Sequence, residues 1–150
     1  MKNSFMLEKI NDDNIKYYQE YEKRYETYLK EFQSRIYPKR EAFQICWYHI
    51  KYGGNYIGSV WLEKISEEDD SAVLGIFIAF DEYRSMGIGN QAISEIIAKD
   101  MESLNIRKII LHVRKENARA ISCYKKSGFI ISDEYISLNN ISVYEMTFEK

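Results

Sequence analysis

The run from Ala72 to Phe80 is apolar on both of the faces a β-strand presents. Alternate side chains of a strand project to opposite sides, so a segment of this kind must be covered above and below, as the central strand of a layered α/β domain is. Helical spacing resumes from about Gly89 to Leu104, and Lys108 to Val113 then reads as a second strand. A strand, a helix and a further central strand in that order predict a right-handed crossover.

The flanking segments supply the rest of the sheet. Phe43 to Tyr52 and Tyr56 to Ile65 have strand character and are separated by the turn Gly53-Gly54-Asn55, which predicts an antiparallel hairpin. Helix Ala118 to Ser127 is expected to stop at Gly128 in a left-handed cap, with strands near Phe129 to Tyr135 and Ile141 to Phe148 after it. Before the hairpin, residues 11 to 35 contain no Gly or Pro and place Ile15, Tyr18, Tyr21 or Tyr25, Tyr28 or Leu29, and Phe32 at helical spacing. Pro38 interrupts this amphipathic helix. With 150 residues, no repeat and no linker, residues 1–150 are read as a single domain.

Charge and composition exclude several classes. Lys and Arg number 21 against 23 Asp and Glu, a balance that gives no grip on a polyanion, so no nucleic-acid partner is expected. The longest apolar run is far below the roughly 20 residues of a membrane helix, and the start MKNSFMLEKI lacks a signal-peptide core, so a cytoplasmic protein without a membrane partner is expected. Cys46 and Cys123 show no CxxC spacing and are read as free, mostly buried thiols. His49 and His112 sit in apolar segments without a paired ligand pattern, so they are read as packed or half-buried, and no metal is expected. Glu67-Glu68-Asp69-Asp70 has no apolar member and reads as a solvated loop.

Arg84-Ser85-Met86-Gly87-Ile88-Gly89 lies between the buried strand and the helix. Glycines there let a ligand approach the backbone, helix-start N–H groups point outward unpaired, and the helix dipole adds about half a positive charge. This is an anion site, to which Arg84 can add a charge-assisted hydrogen bond to phosphate. A Walker loop fails because no Gly-Lys-Ser/Thr occurs. Gly87-Ile88-Gly89-Asn90-Gln91-Ala92 satisfies the dinucleotide pattern, but the strand ends too early and the next one, ending at Val113-Arg114, lacks the ribose-binding acid.

The loop resembles the cofactor loop of the GNAT acetyltransferase superfamily, Gln/Arg-x-x-Gly-x-Gly/Ala, at Arg84, Gly87 and Gly89. A second block of that family, Asn-x-x-Ala-x-x-x-Tyr-x-x-x-Gly-Phe, falls at Asn117, Ala120, Tyr124, Gly128 and Phe129. The resemblance covers Ala72 to Phe129 closely and residues 1 to 65 only in their order of elements. It implies a mixed, mainly antiparallel central sheet flanked by helices, and acetyl-CoA as co-substrate. It also implies that Ile76, Ile78 and Ala79 pair with the pantetheine arm, that Arg84, Ser85, Met86, Gly87, Ile88, Gly89 and Asn90 hold the pyrophosphate, and that Asn117, Ala120 and Tyr124 contact the arm. Independently, Asn117, Ile121 and Tyr124 share one helix face.

Acetyl transfer to an amine needs a neutral nucleophile, a stabilised oxyanion and a protonated or stabilised leaving thiolate. Glu63 or Glu82 are the candidate bases, a strand N–H near Ile78 the carbonyl polariser, and Tyr124 the donor to sulfur. Cys123 points about 100° from Tyr124 on its helix and is read as a packing thiol rather than a nucleophile. Tyr17, Tyr21 or Tyr28 are candidates to line the acceptor pocket, unless their rings simply cover the sheet. The expected acceptor is a small-molecule amine or a peptide amine; a silent acyl-CoA sensor and a protein N-terminal or lysine acetyltransferase are the alternatives. Exposed C-terminal strand edges allow a homodimer.

Overall fold

A computed structural model describes residues 4–24 and 35–150. In chain order the elements are β1 (Phe5–Lys9), a 3-10 turn (Ile15–Tyr18), β2 (Gln44–Tyr52), β3 (Asn55–Lys64), β4 (Ser71–Ile78) and a second 3-10 turn (Asp81–Tyr83). Helix α1 (Ile88–Asp100), β5 (Lys108–Arg114), helix α2 (Ala118–Lys126), β6 (Ile130–Ile136) and β7 (Ser142–Glu149) follow. The strands form one sheet in the order β1-β2-β3-β4-β5-β7-β6. Every neighbouring pair is antiparallel except β4–β5, so the sheet is mixed and mainly antiparallel.

As its two-faced apolar pattern requires, β4 is covered on both sides. Ala72 and Leu74 pack with Ile109, Leu111 and Val113 of β5 and with Ile88, Ala92, Ile93 and Ile96 of α1. Phe77 joins Trp61, Tyr18, Tyr21 and Ile36 in a second cluster on the opposite face. Tyr18 and Tyr21 are buried there, as their helical spacing predicted, and residues 19–24 are α-helical. Tyr25, Tyr28, Leu29 and Phe32 lie outside the described residues. Tyr17 stacks on Tyr56, with ring centroids 4.5 Å apart, and Tyr21 is fully buried, so these rings cover the sheet.

Two differences from the sequence reading have local causes. Strand β1 was not expected: it is a short edge strand in which only Leu7 is buried, and its pairing with β2, from Phe5↔Tyr52 to Lys9↔Tyr48, defines it. Helix α1 ends at Asp100 rather than near Leu104, and a turn closed by Ile106 N–H on Met101 O replaces its last residues. Gly128 does take the left-handed conformation, φ +97°, and Phe129 N–H bonds back to Tyr124 O at 3.0 Å. No helix among the described residues is long and apolar enough to cross a membrane.

The feature that makes a site is the shortness of the one parallel pairing. β4 and β5 are joined only from Ser71↔Lys108 to Val73↔Ile110, whereas β4 stays paired with β3 from Val73 to Ile78. Beyond Val73 the two central strands part, and a cleft opens between them.

Candidate active site

The cleft holds about 740 Å³ and is walled by β4, the 84–89 loop, β5, α2 and the β6–β7 hairpin. Its β4 edge is set by strand alternation. Ala79 N–H bonds to Ile57 O at 2.8 Å, so in the antiparallel β3–β4 ladder the odd-numbered residues are spent on β3 and the peptide groups of Leu74, Ile76 and Ile78 face the other way. With pairing to β5 over by Val73, the N–H groups of Ile76 and Ile78 face the opening. An extended chain bearing amides fits such an edge as a further strand would. Ala79, expected on this edge, is turned to β3 instead.

At the end of the cleft, Gly87 is the N-cap of α1 with φ +79° and no side-chain cap bond, and Ser85 also has positive φ, +66°. The first N–H groups of α1 are therefore left for a ligand. A Cβ at Gly87 would meet nothing within 4 Å, so glycine is required there by conformation, and the space over the helix start is open. At Gly89 space is the constraint, since a Cβ would lie 3.3 Å from Cys123 Sγ. Cys123 is thus a packing thiol between α1 and α2, its pKa raised by burial, and both cysteines are free.

Several loop residues serve differently from the expectation. The Arg84 guanidinium donates to Ile78 O at 2.9 and 3.3 Å and to Asp81 at 2.5 Å, bracing the loop on the end of β4. The Asn90 amide ties α1 to α2 through Cys123 O at 2.7 Å and Ser127 Oγ at 2.6 Å. The Ile88 side chain is in the core, which leaves its backbone to face a ligand, and Met86 is exposed outside the cleft lining.

Helix α2 presents Asn117, Ala120 and Tyr124 to the cleft. Asn117 caps its own helix, Oδ1 accepting from Ala120 N–H at 3.2 Å, which fixes the side chain at the cleft wall. Tyr124 is half-buried and packs against Phe129, ring centroids 6.3 Å apart.

The two candidate bases are not in the cleft lining. Glu82 is exposed on the short turn after β4. Glu63 is fully buried and its oxygens accept from Nη1 and Nη2 of Arg35 and from Lys39 N–H at 2.7 Å. With these donors on it, the carboxylate anchors the segment before β2. The residue that sequence reasoning passed over is His112. It lies in alternation with Lys108, Ile110 and Arg114, opposite the buried Ile109, Leu111 and Val113, and it is open to the cleft rather than packed. The period-2 pattern held that signal. Its Nδ1 lies 3.2 Å from the Tyr135 hydroxyl. On the same face the Trp61 indole lies across Gly75, where a Cβ would sit 2.1 Å from the ring, and its buried Nε1–H has no hydrogen-bond partner among the described residues.

A parted central strand pair, an uncapped helix start behind a glycine loop, and a tyrosine on the second helix belong together in one architecture. The family model for the acetyltransferase (GNAT) family matches residues 7–129, and the chain belongs to that family. Among its relatives is a spermidine N(1)-acetyltransferase of Vibrio cholerae, 36% identical over 76 residues, 51% of this chain and 43% of the relative. A 5-NmdU N-acetyltransferase of Pseudomonas phage PaMx11 is 22% identical over 120 residues, covering 79% of this chain and 82% of that one. The chain spans less than half the length of the first curated relatives it matches, 43%, 27% and 34%. The fold is also that of the Vibrio cholerae spermidine N-acetyltransferase crystallised with CoA and spermine, TM-score 0.76 at 19% identity over 97% of this chain and 95% of the other. An aminoglycoside acetyltransferase crystallised with coenzyme A and kanamycin gives TM-score 0.73 at 19% identity, covering 98% and 95%.

Proposed function

We propose that the protein transfers the acetyl group of acetyl-CoA to a primary amine by direct attack in a ternary complex. The observation that carries this reading is the unpaired β4 edge at Ile76 and Ile78 leading to the uncapped start of α1 at Gly87. Pantetheine amides pair with such an edge, and a pyrophosphate suits helix-start N–H groups. In this arrangement Ile78 N–H polarises the thioester carbonyl, Asn117 meets the pantetheine arm, and Tyr124 donates to the departing sulfur.

The acceptor is proposed to be a single amine rather than a polyamine. The described cleft lining carries no Asp or Glu; of its cations, Arg35, Arg84 and Arg114 are paired with Glu63, Asp81 and Glu116 outside the lining, and Arg119 and Lys126 add positive charge, a surrounding that offers a polycation no counter-ion. The chain thus departs from what the names of its spermidine-acetylating relatives suggest. A homodimer is part of the same reading, supported by the β6 edge, where Ile130 is 67% and Ile136 66% exposed; light scattering tests it.

Thiol release from acetyl-CoA is the test, with spermidine, kanamycin and an alanine-initiated peptide as acceptors. Release fastest with the peptide is expected. Release fastest with spermidine overturns the single-amine reading, and acetyl-CoA binding without release on a wide amine panel points to a silent acyl-CoA sensor.

A further inference from the structure

We propose that His112 is the base that takes the proton of the acceptor ammonium, with Tyr135 as its positioning residue; this rests on the acetyl-transfer reading above. The first argument is elimination. Among the described residues lining the cleft there is no carboxylate, and the titratable side chains are arginines, tyrosines, one lysine, one cysteine and His112. As side-chain types, guanidinium and ammonium groups are donors without a lone pair and phenols are poor bases, and burial pushes the Cys123 thiol up. His112 alone offers a lone pair.

Geometry is the second argument. His112 projects from β5 on the face that carries Gly75, Phe77 and Trp61 on the other side of the parted strands. Its ring is held edge-on to Tyr135, centroids 5.9 Å apart and planes at 76°, with Nδ1 3.2 Å from the hydroxyl oxygen. When Nδ1–H donates to that oxygen, the lone pair is on Nε2, at the far end of the ring. The β6–β7 hairpin therefore sets the orientation of the ring, and the proposal takes the hydroxyl as acceptor, with the Nδ1–H tautomer leaving Nε2 as the base.

The surrounding charges agree. Facing His112 are Tyr135 from β6, its cross-strand partner Glu145 from β7, and Arg35 and Lys39 from the segment before β2; β4 carries no titratable side chain. Partial desolvation against the cleft wall holds the imidazole below its ordinary value, Glu145 opposes this, and the two cations reinforce it. A lowered value favours the neutral ring at pH 7.

The step balances as follows. Nε2 takes one proton from R–NH3+, and the freed lone pair attacks the acetyl carbonyl carbon. The N–C bond forms, the C–S bond breaks, and the second amine proton passes to the thiolate by way of Tyr124 or water, leaving amide and CoA thiol. His112 then returns its proton to solvent.

Because the chain has only two histidines, 15N spectra of the imidazoles test the arrangement without an acceptor, His112→Gln assigning the signals. At pH 7.5 His112 is expected as the Nδ1–H form; the Nε2–H form or the cation overturns the proposal. In the thiol-release assay with the alanine-initiated peptide, spermidine and kanamycin, His112→Gln should bind acetyl-CoA within a few fold of wild type. It should lose about 10²-fold in turnover at pH 7, the low end for general-base catalysis, and the loss should shrink as pH rises and the amine deprotonates unaided. Tyr135→Phe should keep the acidic limb of the rate profile but displace it. Unchanged turnover in His112→Gln overturns the base alone, whereas a wild type that binds no acetyl-CoA overturns the transferase reading beneath it.

Discussion

Glu63→Gln separates an anchoring carboxylate from a catalytic one. The side chain is 1% exposed, and its oxygens receive Nη1 and Nη2 of Arg35 and the Lys39 amide at 2.7 Å. Glutamine keeps the shape but offers one acceptor oxygen and sets an NH2 group against groups that are themselves donors. Hydrogen bonds to a charged partner are worth about 1.5–3 kcal/mol. Arg35 is 42% exposed and is rehydrated in part, which pulls the expected cost to about 2 kcal/mol. For a domain of this size that lowers the melting temperature by about 4–8 °C. Removing the other partner should cost more, about 3 kcal/mol or above for Arg35→Met, because it strands a buried carboxylate, and the double variant should recover part of that loss. Circular dichroism melts supply the numbers, and thiol release below the melt should stay within a few fold of wild type. A Gln variant that melts with its parent yet loses turnover a hundredfold refutes this account and returns Glu63 to the reaction.

Gly75→Ala would place a methyl 2.1 Å from the buried Trp61 indole, an overlap that forces the ring to move; a loss of about 2–3 kcal/mol is expected, and a melt within 1 °C of wild type would contradict the packing described. Tyr124→Phe should leave acetyl-CoA affinity within a few fold and lower turnover by about 10²-fold; unchanged turnover removes Tyr124 from the mechanism. Buried His49, with Nε2–H on Asn14 O at 2.9 Å and Nδ1 receiving the Tyr21 hydroxyl, has its pKa lowered by burial from 6.5. Its contribution to stability is present above that value and lost as pH falls through the lowered one, so urea midpoints should drop between pH 7 and 5, with a flatter slope in His49→Gln; an unchanged slope would speak against it.

What the sequence reveals here is governed by range. The two-faced apolar pattern of β4, the glycine loop and the Gly128 cap depend on residues near one another in the chain, and each is plain in the sequence. The partner of Glu63 lies 28 residues away and that of the Asn90 amide 33 away, distances at which no periodicity reports which polar groups meet. Glu63 thus looked like a cleft carboxylate and Asn90 like a phosphate ligand. Strand β1 has too few residues and too little buried surface to stand out from a terminal segment. His112 was misread for a different reason: its apolar neighbours at Leu111 and Val113 face the core, and only alternation along β5 shows that the histidine faces the other way.

The central claim is that acetyl-CoA sits with its pyrophosphate over the start of α1. Calorimetric titration of acetyl-CoA into wild type and Gly87→Glu tests it most directly. A Cβ there meets no atom within 4 Å, so the substitution sends a carboxylate out from the open space over the helix start at a cost in backbone strain of about 1–2 kcal/mol, which a melt can verify. The account predicts a saturable one-site isotherm for wild type and none for a folded Gly87→Glu. Equal binding by both would move the pyrophosphate elsewhere, and a folded wild type that binds no acetyl-CoA would contradict the claim outright.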